Sequence, residues 1–446
     1  MKTLKPAEIM THEERQAYGK SRREVVHRID QRAWVLPSNR PDPVESLLAA
    51  TKDRLPDLIP IKMGRMAASP FGFFRGAAPV MAADLATLPT TGLHVQICGD
   101  AHVRNLGAFA APDGHLVFDL NDFDETVPGP WEWDLKRLAT SLVLAGSEAG
   151  GNHGDCSDAV LALVSSYREA INNFSGMTMI DLARYEVRRR SKVACVRDVL
   201  AKAERATPKH NLEKLTVAVK GGLCRLADRP PLLHHVPENV AKSVVSALGP
   251  YRETLPTDRQ QVLDAYHPVD VAFKLVGTGS VGTRDYVVLC FGNGPEDPLF
   301  IQIKEEPPSC YTPHLPGTLP LPHQGRRVVE GQHRMQTVCD PFLGWTSIDG
   351  RDFLVRQLAD HKASVEPTDL KGDALKEYSL VCGEILAKGH ARTGDAAEMS
   401  GYCGTSDKLD KAIDQFAFAY TEQTARDHEA LVKAIKAGKV KAISGI

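Results

Sequence analysis

Phosphoryl transfer to a hydroxyl needs a carboxylate to accept the hydroxyl proton and oxygen ligands to hold a divalent cation. The segment Gly99-Asp100-Ala-His102-Val-Arg-Asn105 offers an aspartate five residues ahead of an asparagine. Downstream comes the acidic run Asp119-Leu-Asn-Asp122-Phe-Asp124-Glu125. Magnesium prefers hard oxygens and usually takes only one or two carboxylates besides phosphate and water. A loop asparagine or an acidic strand end alone is a common turn device or solvated edge. Together, in this order and on either side of a hairpin, they point to chemistry.

A second group lies far along the chain. Gly277-Thr-Gly279-Ser280-Val-Gly282 has the G-x-G-x-x-G spacing, which also serves dinucleotide-binding turns. A Rossmann turn opens a helix, whereas residues 283–291 are rich in β-branched and aromatic types and read as a strand. Glycines between antiparallel strands suit a flap whose backbone covers nucleotide phosphates; a plain tight hairpin is the other reading. Lys304 ends the next strand, where an ammonium reaches α- and β-phosphates as a point charge. Glu330, on a following helix, is the candidate to orient Lys304, with Glu305 and Glu306 as nearby alternatives.

These residues need a scaffold. Residues 1–70 read as polar helices broken by prolines. An apolar run, 93–98, leads into the Asp100 loop, and 106–109 with 115–119 form a hairpin about Ala111-Pro-Asp-Gly114. From Trp131 to about Leu226 apolar residues recur at helical spacing, as in Leu135, Leu138 and Leu142. Strands are predicted at 271–276, 285–291, 299–305, 342–348 and 352–358. A helix is predicted from Arg326 to Cys339, and helices again from about Asp369. No internal repeat interrupts this order. Three features have bland readings. The stretch from Arg184 to Lys220, with eleven basic against four acidic residues including Arg188 to Arg190, suits a solvated helix face. Phe71, Phe73 and Phe74 beside Arg75 suit core packing. His234, His235 and His390 lack metal-ligand spacing.

At 446 residues the chain can hold two or three domains, with 43% hydrophobic and 25% charged residues. A formal net charge of −2 gives no global attraction to nucleic acid or an anionic membrane. The first thirty residues lack the apolar core of a signal peptide, and no run reaches a spanning length. Nine cysteines without a C-x-x-C pair suggest reduced thiols. A cytoplasmic globular protein is expected.

The Asp100–Asn105 segment, with Asp122 and later Asp134-Leu135, resembles the catalytic and metal-binding segment of aminoglycoside and choline phosphotransferases. The flap, Lys304 and the next helix resemble the small lobe of protein kinases. Over nearly its full length, with Arg65-Met-Ala-Ala-Ser-Pro-Phe-Gly-Phe-Phe-Arg75-Gly and Asn121-Asp-Phe-Asp-Glu125 as signatures, the chain resembles a bacterial domain-of-unknown-function family. The kinase resemblance departs in order, because here the flap and lysine follow the catalytic loop. It departs also at Arg284, where protein kinases usually place valine under the adenine.

What the resemblance implies is an α+β, bilobal, protein-kinase-like fold, circularly permuted, with a five-stranded antiparallel small lobe and a mainly helical large lobe. The expected divisions are an N-terminal helical extension (1–60), a first part of the large lobe (61–261), the small lobe (262–365) and a second helical part of the large lobe (366–446). Asp100 would be the catalytic base, Asn105 and Asp122 the magnesium ligands, and Gly277, Gly279, Ser280 and Gly282 the phosphate flap. Lys304 would hold the phosphates of ATP, and the backbone after Val355-Arg-Gln-Leu358 would bind adenine. Asp134 would tie its helix to the catalytic loop. His102 stands where small-molecule kinases often have histidine, which favours a small-molecule over a protein hydroxyl acceptor. Two other readings compete. A two-metal phosphoesterase would use Asp100, His102, Asp122 and Asn152-His153, and a pseudokinase would bind ATP without transfer.

Overall fold

The computed structural model describes residues 10–187, 193–218, 224–315, 317, 321–358 and 361–445. The basic residues 188–190 and Lys220 of the expected cationic face lie outside them.

The largest sheet is antiparallel, in the order Gly344–Ile348, Arg351–Gln357, Pro298–Glu305, Asp285–Phe291, His267–Lys274, Leu233–His235. The middle strands are buried along their whole length, which is why they read as continuous apolar runs rather than alternating ones. One face packs on Val244, Tyr251 and Leu255 and the other on Leu226 and Leu358. The sheet has six strands where five were expected. The extra strand, Leu233–His235, follows the segment Arg229-Pro-Pro-Leu232 and pairs Leu233 with Lys274. Three residues are too few to show a period of two.

A helical body surrounds the other core. The helices Trp131–Glu148, His153–Ser175, Asp373–Thr393 and Lys408–Lys436 bury Leu135, Leu138, Leu142, Tyr167, Ile385 and Phe416 together. The apolar spacing predicted this helical block, but it ends earlier than expected. Helix stops at Leu215, and Thr216–Ala218 pairs with Cys224–Leu226. The helix expected at 326–339 runs Gln324–Met335. N-terminal helices wrap both bodies: Thr11 and Glu14 form a capping box for His12–Val25, and buried Arg40 bridges Asp84 and Asp427 of the last long helix.

Two connections join sheet and helical body at the site. The hairpin Leu106–Ala110/Leu116–Leu120 follows the Asp100 loop. After leaving the sheet the chain pairs Ala363–Ser364 with that hairpin, so the segment that follows the sheet and the hairpin that follows the Asp100 loop form a small three-stranded platform. All nine cysteines are free thiols. No helix among the described residues is long and apolar enough to cross a membrane.

Candidate active site

Asp100 sits after the strand His94–Ile97, where Gly99 turns at φ +81°. A side chain at Gly99 would meet the Glu125 carbonyl at 2.4 Å, so glycine permits the acidic run to approach. Asp134, in the first turn of Trp131–Glu148, accepts the backbone N–H groups of Cys98 at 2.7 Å and Gly99 at 2.9 Å. One turn later Arg137 donates from Nε (2.8 Å) and from its terminal nitrogen (2.5 Å) to Asp100 Oδ1. The i, i+3 spacing puts both groups on one helix face. Arg137 is wholly buried, while Asp100 keeps 15% of its side chain exposed. Its free oxygen, Oδ2, faces the flap: a side chain at Gly279 would lie 4.0 Å from it.

The acidic run forms the next wall. Asn105 Nδ2 donates to the Asp100 carbonyl at 2.9 Å, which leaves Asn105 Oδ1 as a free acceptor. Lys304 pairs with Asp124 and lies 3.7 Å from Glu306. Burial works against the Lys304 charge, but Asp124, Glu306 and Asp122 more than offset it and hold the ammonium above the usual lysine range. Burial also opposes ionisation of Asp124, yet Lys304 holds that carboxyl below its usual range. Asp122 goes the other way: burial first, then the charge of Asp124, pushes it up to about 6.

Asp100, Asn105, Asp122 and Asp124 line one cavity of about 90 Å³ with Gly277, Gly279 and Ser280. Gly282, the last flap glycine, packs on Arg54 instead. The flap carbonyls are held by three cations, of which Arg54 and Lys62 line the same cavity. Arg54 donates to Gly279 and Val281 at 2.7 Å each, Lys62 to Thr278 at 3.0 Å and Gly279 at 2.8 Å, and Arg65 to Gly277. A second cavity, about 200 Å³, includes Phe109, Val276, Leu358, Gln302, Gln336, Arg356 and Lys362. Burial and the charge of Arg356 push the Lys362 amine down to about 7.

Glu330 does not orient Lys304. It pairs along its own helix with Arg326 at 2.6 Å and Arg334 at 3.4 Å. The inward face of that helix is one residue round, where Gly331 meets Thr126 and Arg327 donates to the Asp124 and Thr126 carbonyls. Asp124 and Glu306 take the part given to Glu330. At the strand end before the expected adenine-binding backbone, the Gln357 N–H donates to Asp340 and the Leu358 N–H to Phe300; residues 359–360, where that backbone begins, lie outside the described residues. Arg284 turns to Glu305 at 3.0 Å. His102 is buried beside Asp100, 3.8 Å from Oδ2, and burial with three nearby arginines keeps it neutral. Phe71, Phe73 and Phe74 are core residues.

Sequence reasoning missed Arg137, although Asp134-x-x-Arg137 on one helix was visible. It also missed Arg54 and Lys62, whose long reach to the flap leaves no mark in spacing. A family model described as "Uncharacterized protein conserved in bacteria (DUF2252)" matches residues 54–434. The chain belongs to the DUF2252 family. The match begins at Arg54, the first of the flap-holding cations, and takes in every residue of this site. No curated protein and no solved structure matches the chain.

Proposed function

We propose that this DUF2252 chain is an ATP- and magnesium-dependent phosphotransferase acting on a hydroxyl acceptor, built as a circularly permuted protein-kinase-like fold. One observation carries the reading. Groups near residue 100 and a glycine flap near residue 280 line the same cavity, and transfer needs only their adjacency in space.

The donor set fits the implied groups. Asn105 Oδ1 and the Asp122 carboxylate would hold magnesium, and the crowding of Asp122 by Asp124 is relieved by a cation. Magnesium there would neutralise charge on the phosphates during transfer. Asp100 Oδ2 would accept the proton of the acceptor hydroxyl, with Arg137 fixing the carboxylate's orientation through Oδ1. Lys304 would offer its ammonium to the phosphates, and the flap its backbone N–H groups. The second cavity would take the base against Phe109, Val276 and Leu358, with the amides of Gln302 and Gln336 as polar partners. Cavities of about 90 and 200 Å³ are smaller than the roughly 300 Å³ or more of small-molecule sites. The flap therefore lifts on loading, against the Arg54 and Lys62 bonds.

The phosphoesterase reading lacks support on its own terms. His153 stacks on Phe418 at 4.1 Å between ring centres, outside the Asp100 cavity. Among the described residues no cluster of three or more His, Cys, Asp or Glu side chains is placed to hold a metal ion.

The test is label transfer. The protein is incubated with magnesium and a metabolite extract, using ATP labelled at the γ- or the α-phosphorus. Phosphotransfer moves the γ label to a new species, and the Asp100→Ala protein does not. Transfer of the α label alone, or no transfer, contradicts the proposal.

A further inference from the structure

Arg75 ends the short helix Pro70–Gly76, in the segment Ser69-Pro-Phe-Gly-Phe-Phe-Arg75. The three phenylalanines face the core and the arginine does not. It lines the Asp100 cavity, and it also lines an open groove of about 750 Å³ with Arg65, Arg104, Glu148 and Glu366. Neither Asn105 nor Asp122 borders that groove, whereas Gly277 and Thr278 of the flap do.

The state of Arg75 is unusual. Its Nε is buried without a hydrogen-bond partner, and no ion pair holds its guanidinium among the described residues. The contrast with Arg137 is direct. That neighbour donates to the Phe74 carbonyl at 3.1 Å and has its charge matched by Asp100. The other charges of the groove are engaged as well: Arg104 pairs with Glu366 at 3.2 Å, and Glu148 accepts the Phe71 N–H at 2.8 Å. Burial first, then the charge of Arg104, pushes Arg75 down to about 10 against the weaker pull of Asp100, Asp122 and Glu366, none of which is paired with it, and it stays cationic at neutral pH. A shielded guanidinium with open donors is costly without a partner anion, and its planar fork matches an oxyanion.

We infer that Arg75 binds an oxyanion group of the acceptor, so that the acceptor is a small hydroxyl compound carrying a carboxylate or phosphate. This rests on the phosphotransferase reading for the word acceptor, but the anion site stands on the geometry alone. In the transfer step the acceptor oxygen bonds to the terminal phosphorus of ATP and its proton passes to Asp100. The bond from that phosphorus to the bridging oxygen breaks, and ADP leaves with the electron pair. The anion on Arg75 is unchanged and sets which hydroxyl faces Asp100.

The experiment uses the full chain without nucleotide. Inorganic phosphate, glycerate and uncharged glycerol are titrated separately by calorimetry, and MgATP is titrated in parallel. Phosphate or glycerate should bind and glycerol should not; whichever anion binds more tightly identifies the acceptor's group. Arg75→Gln should weaken that binding about tenfold or more, the loss of a charge-assisted pair, whereas Lys304→Met should retain it. Should Arg75→Gln fail to fold, Arg75→Lys decides: it keeps the charge without the fork, and affinity equal to the unsubstituted protein overturns the inference. No anion binding overturns it, as does binding that survives Arg75→Gln or disappears in Lys304→Met. Arg75-dependent anion binding without MgATP binding supports the site and refutes the phosphotransferase reading; MgATP binding without it refutes this inference alone.

Discussion

Replacing Arg137 by methionine tests how the proposed base is held. The guanidinium is 0% exposed, makes two bonds to Asp100 Oδ1 and a third to the Phe74 carbonyl, and lies 4.3 Å over the Phe74 ring. Methionine fills much of the volume but removes every donor. Asp100, 15% exposed, then keeps a charge with no cation bonded to it. Breaking a buried pair in this way costs about 3–5 kcal/mol. Asp100→Asn alone keeps an acceptor for Arg137 and should cost less, about 1–3 kcal/mol. The double variant should be more stable than the sum of the two losses, with a coupling of about 1–3 kcal/mol. The assay is urea unfolding of the four proteins at pH 7, followed by tryptophan fluorescence. Additivity within about 0.5 kcal/mol would refute the claim that Arg137 holds Asp100. The same substitution should lower turnover while leaving MgATP affinity close to that of the unsubstituted protein.

Asp100→Ala should lower turnover by roughly 10²–10⁴-fold with nucleotide affinity retained, read by steady-state kinetics and calorimetry on one preparation. Lys304→Ala should weaken MgATP binding itself; unchanged affinity would remove Lys304 from the site. Asp285, buried behind Lys304 with Oδ1 unpartnered and its carboxyl pushed by burial from 3.8 up to about 6, gives a pH signature. Its folded form binds the proton more tightly than the unfolded form, so the penalty is absent below about pH 4 and grows as pH rises through about 6. Asp285→Asn should therefore stabilise at pH 7.5 by up to roughly 3 kcal/mol, two units at about 1.4 each, and change nothing at pH 4. A gain independent of pH would contradict this. Lys62→Met should free the Thr278 carbonyl and leave that of Gly279 to Arg54 alone, and hydrogen exchange at 277–282 should quicken; unchanged exchange would show that the Lys62 bonds do not hold the flap.

Local patterns carried much of the architecture. Residues 285–291 matched their strand end for end, because a run of β-branched and aromatic residues between glycines has few alternatives. The helices about Leu135 and Ile385 were legible from period alone. The strand Leu233–His235 was not, since three residues carry no period. The neighbourhood of Asp100 and Asn105 could be read because they lie within one short segment. Partners brought together by folding could not. Glu330 was chosen by its helix, and a rotation of one residue sends it to Arg326 rather than Lys304. Arg54, in the bend before Pro56–Leu58, and Arg75, at the end of Pro70–Gly76, reach the site from the N-terminal region, and only packing shows that one holds the flap while the other has no hydrogen-bonded partner at Nε.

The central claim is that the cavity between Asp122 and the flap takes MgATP, and equilibrium binding tests it most directly. Unfolding of the unsubstituted protein and of Asp122→Ala is followed with ATP, with magnesium and with both. The account predicts that the two ligands together stabilise the unsubstituted protein, by about 2.7 kcal/mol at a hundredfold excess over the dissociation constant, and that Asp122→Ala loses most of that gain. An unsubstituted protein that shows no shift with millimolar ATP and magnesium would contradict it.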